Sequence, residues 1–138
     1  MRQLQRAAAL VEFALAWPIA LLIVLTTVQA AVWASETYGA RAASLAGARA
    51  GSVAGGTAEV AAAVTRQALA SVLIGVRAAT WCPGETSTAP QVWVCVADRG
   101  TAVEVQVGGE VPALVPLLPQ GGLPLHADAV LQKDEFAT

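Results

Sequence analysis

The chain has 138 residues and a mass of 14.0 kDa, room for one small domain with or without a membrane segment but not for a two-domain enzyme. Hydrophobic residues make up 56% and charged residues 13%, which argues against a disordered chain, since such chains are polar and highly charged. A net charge of −2, one His and two Cys do not make a polycation for nucleic-acid phosphates, nor a His- or Cys-rich metal site within one copy.

Composition divides the chain. Of 31 alanines, 24 lie in residues 1–80, whereas six of the seven prolines follow residue 80. Alanine favours helix and proline interrupts it, so the first part is predicted helical and the rest strands and turns. The expected fold class is α+β: a long N-terminal transmembrane helix, a second amphipathic helix and a small C-terminal antiparallel sheet. The expected boundaries are a short basic tail over 1–7, a helix over 8–50 and an extracytoplasmic α+β domain over 57–138.

No charged residue lies between Glu12 and Glu36. The apolar run Phe13–Ser35 is long enough to cross the hydrocarbon core, for which about 20 residues suffice. Pro18 inside it is tolerated in a membrane helix, and Trp17 and Trp33 sit near its ends, where indole rings favour the interface. Arg2 and Arg6 precede the run and Arg41 and Arg49 follow it, so charge alone does not orient it. The short basic tail and the two later cysteines favour a cytoplasmic N-terminus. A cleaved secretory signal is the rival reading, since Val28-Gln29-Ala30 and Val32-Trp33-Ala34 offer small residues at the usual cleavage positions.

The helical pattern continues through residue 50. Ala31, Ser35, Gly39, Ala43, Gly47 and Gly51 form a row at four-residue spacing, hence on one helix face. Such a row admits close approach of another helix, within the protein or between copies. Gly55-Gly56 marks a break, Thr57 is a helix N-cap, and Glu59 suits the first turn. Val60, Val64, Ala68, Val72 and Val76 recur every four residues, with Leu69 and Leu73 beside them, predicting an amphipathic helix over 57–79 that packs on the β part through this stripe.

Residues 81–138 are predicted to form an antiparallel meander. Val92–Val96 is a strand, Asp98-Arg99-Gly100 a turn and Ala102–Val107 an alternating strand ended by Gly108-Gly109. Pro112, Pro116 and Pro119 predict an extended connection, and Leu123–Leu131 a last strand. Cys82 and Cys95 flank a Pro/Gly/Ser/Thr loop and are predicted to form a disulfide outside the cytoplasm; two free thiols are the alternative if the orientation is inverted. His126 is expected at the surface or partly buried. No nucleotide-binding loop or nucleophile-elbow motif is present, and the chain is expected to be no enzyme and to use no cofactor or small-molecule substrate.

The residues Arg6–Leu15 (RAAALVEFAL), Pro18 and Arg41–Gly51 (RAASLAGARAG, an A-R-x-G-A-R-A-G-like stretch) together resemble the TadE-like minor pilins, or pseudopilins, of the tight-adherence (Flp) pilus system. The resemblance covers residues 6–51 and rests on the combination. It implies a leader cut by a prepilin peptidase between Ala7 and Ala8, making Glu12 the fifth residue of the mature chain. The family usually has Gly before the cut, where this chain has Ala7. It implies an assembly role for Glu12, Phe13 and Pro18, and partners among other pilin-like subunits, the pilus assembly machinery and the membrane. A secreted or membrane-anchored binding module unrelated to pili is the other reading. An extracytoplasmic hydrolase would need a pocket around His126.

Overall fold

The computed structural model describes residues 2–113 and 122–133. Alanine-rich sequence free of prolines except Pro18 forms one helix, α1 (Arg2–Ser52), 51 residues long, extending past both ends of the predicted 8–50. It stops where Gly55 turns the chain with φ +76°. The second helix, α2 (Ala58–Ala70), begins as the sequence predicts: the Thr57 hydroxyl accepts the Val60 N–H at 3.2 Å.

It ends nine residues before the predicted 79. The chain turns at Ser71–Val72, and Gly75 takes φ +76°, outside helical space. The residues that follow form a short strand, β1 (Ala78–Thr80). The predicted stripe is borne out in part: Leu69 and Leu73 lie in the core and Ala68 and Val76 pack against it, but its N-terminal end does not face inward. Ala61, Ala62, Thr65 and Leu69 are the buried residues of α2, while Val60 is 46% exposed. The glycine row of α1 decides this. A methyl on Gly47 would collide with the Thr65 hydroxyl, and one on Gly51 would lie 3.0 Å from the Ala61 methyl. Only a small-residue face of α2 can approach that closely.

Strands β2 (Val92–Asp98), β3 (Ala102–Val111) and β4 (Leu123–Gln132) form the predicted antiparallel meander, in the order β1-β2-β3-β4. The sheet as a whole is mixed, because β1 pairs parallel to β2 with Ala78 opposite Val92. Gly108-Gly109 does not end β3 as predicted. Gly108 lies beneath the Trp93 ring, and Gly109, at φ +129°, lets the Gln91 carbonyl approach, so pairing continues to Val111. The predicted turn forms, with Gly100 at φ +82° donating its N–H to Asp98 Oδ1 at 2.9 Å. Of the predicted proline-rich connection, Pro116 and Pro119 lie outside the described residues.

One sheet face is apolar. Val92, Val94, Val103, Val105, Val107, Val111, Leu125 and Ala127 are buried with Leu69 and Leu73 of α2 and Ala40, Ala43 and Ala48 of α1. The C-terminal half of α1 is therefore part of the head's core. The Cys82–Cys95 disulfide forms, with Cα atoms 4.7 Å apart, and links the β1–β2 connection to β2. Trp81 packs edge-on against Trp93 at 5.7 Å beside it.

At the β2–β3 turn, Lys133 Nζ lies 2.7 Å from Asp98 Oδ2, and Arg99 holds Glu104. The Lys133 hydrogen bond and then the Gly100 N–H draw the Asp98 carboxyl below the usual carboxylate range; Arg99 and then Gln106 do the same for Glu104. A depressed folded-state pKa stabilises above the unfolded-state value and loses that contribution as pH falls through the folded one. Below about pH 4 the turn is therefore expected to loosen. Amide exchange at Arg99–Ala102 is expected to rise there, and Lys133→Ala to blunt the pH dependence.

Candidate functional site

Two stretches of α1 have opposite surroundings. From Val11 to Val28 every residue is exposed, including Phe13, Trp17, Ile19 and Ile23. Among the described residues, this is the one helix long and apolar enough, by length and composition, to cross a membrane. Its two hydroxyls are satisfied locally: Thr26 and Thr27 donate to the carbonyls of Leu22 and Ile23, at 2.7 and 2.8 Å. That is what a helix surface away from water needs. Pro18 lies inside the helix without ending it, and Phe13 stacks with Trp17 at 6.2 Å. Glu12 is exposed within this surface. Ala7 and Ala8 lie in the first turns of α1.

From residue 36 the helix is seated in the head. Gly39, Ala43, Gly47 and Gly51 are all buried; a methyl on Gly39 would collide with Val72. The row thus meets α2 of the same chain. Glu12 and Phe13 stand about 40 Å along the helix from Gly39, so the sequence-derived residues divide into an exposed apolar group and a buried packing group.

Two contacts that the periodicities did not mark join helix to head. Glu36, 3% exposed, accepts the Ile74 N–H through Oε1 at 3.1 Å, holding the α2–β1 turn against α1. Trp33 donates its indole N–H to the Pro124 carbonyl of β4 at 3.0 Å. The one available signal was that Glu36 is the first charge after a long apolar run, and such a group is buried only with a partner.

His126 is exposed on β4, 3.9 Å from Asp128, in an open groove lined also by Arg41, Leu45 and Val130. Among the described residues no serine, threonine or cysteine lines that groove. Among the described residues no group of three or more His, Cys, Asp or Glu could hold a metal ion.

The fold and these surfaces define a class: a small α+β head built onto the C-terminal half of a long helix whose residues 11–28 are apolar and uncovered. No family model, curated protein or solved structure matches the chain.

Proposed function

We propose that this chain is a TadE-like, pilin-type minor subunit that enters a tight-adherence pilus or its assembly complex through the N-terminal half of α1. The division of that helix carries the reading. Residues 11–28 form an apolar surface that the chain's own head leaves bare, while the segment from Glu36 to Ser52 is packed into the head. Such a surface is stable only in lipid or against other apolar helices. A subunit moving from membrane to fibre exchanges the first for the second. The orientation places the N-terminus in the cytoplasm and the head outside, where the Cys82–Cys95 disulfide persists. Assembly energy comes from separate machinery.

Glu12 supplies register. A carboxylate at the centre of a membrane helix costs on the order of 2.5–3.5 kcal/mol, so it is retained where it gains a partner. After cleavage before Ala8, the new amine lies about one helical turn away, on the same chain or on a neighbour. Glu12→Leu is expected to leave membrane insertion and head stability unchanged. Piliation is expected to fall about tenfold or more, a coupling of at least ~1.4 kcal/mol per contact. Piliation counts by electron microscopy, beside immunoblots of the membrane fraction, measure both. Normal piliation would overturn the proposal. So would an N-terminus near Ala31 or Ser35 in protein sequenced from the host, which instead fits the secreted module.

A further inference from the structure

The end of the head that faces the apolar half of α1 can be identified from contacts. Val72 meets Gly39 and Ala61 meets Gly51, so α2 runs antiparallel to α1 and its C-terminal turn points back toward residue 11. Strand β4 runs in the sense of α1, with Pro124 at Trp33 and residues 126–130 beside Arg41 and Leu45. The register Ala78–Val92–Gly109–Leu125 places the starts of β1, β2 and β4 and the end of β3 at this same end. The rim there carries Ile74, Arg77, Pro112 and Pro124, with Trp33 of α1.

The rim is not made like the opposite end. Ile74 is 53% exposed, although its own N–H is fixed to buried Glu36. Arg77 is exposed and makes no ion pair among the described residues. Glu110 at this end spends its carboxylate on the Gly122 N–H at 3.2 Å. At the far end, the charges of Asp98, Arg99, Glu104 and Lys133 are instead paired with one another.

Length then sets the height of the rim. Gln29 is only 6% exposed, so α1 is already covered one turn before Trp33, inside the apolar run. The helix from Arg6 to Gln29 is about 35 Å long at 1.5 Å per residue, close to the roughly 30 Å of a hydrocarbon core. Once that segment spans the bilayer, little height remains between the hydrocarbon boundary and the head. The headgroup layer is about 5–7 Å thick on each side, and Trp33 stands about 6 Å beyond Gln29. A tilt of about 20°, usual for such helices, lowers whichever side leans toward the surface.

We propose that, before assembly, this rim rests in the headgroup layer of the outer lipid surface. Ile74 and Trp33 enter the interface and Arg77 meets lipid phosphate. The inference rests on the membrane-spanning reading of α1 but not on the pilus. It gives the head a defined seat on the membrane, which assembly into a fibre would have to break.

Depth-dependent quenching on the full chain in phosphatidylcholine–phosphatidylglycerol vesicles tests it. The native cysteines are bonded to each other, so a thiol-reactive bimane reports only introduced sites. Three single variants are compared: Val24→Cys in the apolar run, Ile74→Cys on the rim and Thr101→Cys at the far end. Lipids spin-labelled near the headgroup are expected to quench position 74 severalfold more than position 101, with position 24 quenched by deeper labels. Equal quenching at 74 and 101, with 24 still quenched, would overturn the docked rim and leave the membrane span standing. No quenching at 24 would overturn both.

Discussion

Gly47→Ala is expected to destabilise the head by about 1–3 kcal/mol, although alanine is by itself the better helix former by about 1 kcal/mol. The two effects oppose each other and geometry decides. The added methyl would collide with the Thr65 hydroxyl and lie 2.9 Å from the Ala61 carbonyl oxygen. The first is the side chain of a fully buried residue and the second is helix backbone, so neither yields easily. Thr65 is also held in place, donating its hydroxyl to that same Ala61 carbonyl at 2.8 Å. For a head of this size the loss corresponds to a fall in Tm of roughly 10 °C, measurable by circular dichroism in mild detergent. Thr65→Ala removes the hydroxyl that collides. In the double variant about half the loss is expected to return, the coupling that contacting residues show. Additive losses would mean that α1 and α2 do not meet at Gly47.

Replacing both cysteines, Cys82→Ser with Cys95→Ser, is expected to cost about 3 kcal/mol and to lower Tm by on the order of 10–20 °C. The disulfide closes a loop of sequence separation 13. Loop closure alone accounts for most of that figure. Where the loop sits adds a structural consequence. It is the connection between two parallel strands, and β1, only three residues long, has one partner strand. Without the link, Ala78–Thr80 and the Trp81–Trp93 contact are expected to be lost first, while β2–β4 stay paired. Hydrogen exchange at Trp81, whose N–H is bonded to the Val94 carbonyl at 3.1 Å, reads this directly. Unchanged protection there would show that β1 holds without its covalent link.

What could be read from the chain depended on the range of the forces involved. The apolar run, the Thr57 cap, the Asp98–Gly100 turn and the antiparallel character of the last strands are local matters. Each follows from a few consecutive residues and one period. The disulfide was legible for a similar reason, since two cysteines around a short loop have few alternatives. The buried face of α2 was not. Its valines make the stronger period, but α1 presents glycines, and at Gly47 and Gly51 the close approach selects threonine and alanine as neighbours, with Val72 meeting the row only at Gly39. Gly108-Gly109 reads locally as a strand end; the Trp93 ring and the Gln91 backbone, both from β2's side of the turn, make it a place of close approach instead.

The sequence by itself determined that this protein is a long helix with an apolar N-terminal half, followed by a disulfide-linked α+β head. Those features are set by composition, hydrophobic period and chain punctuation. Only the tertiary structure decided that the glycine row is taken up by α2 of the same chain, that β1 joins the sheet in parallel, and that Glu36 and Trp33 tie the head to the helix. These depend on groups separated by 38 residues for Glu36 and Ile74 and by 91 for Trp33 and Pro124. No local period records such separations, because the partners become neighbours only when the core closes.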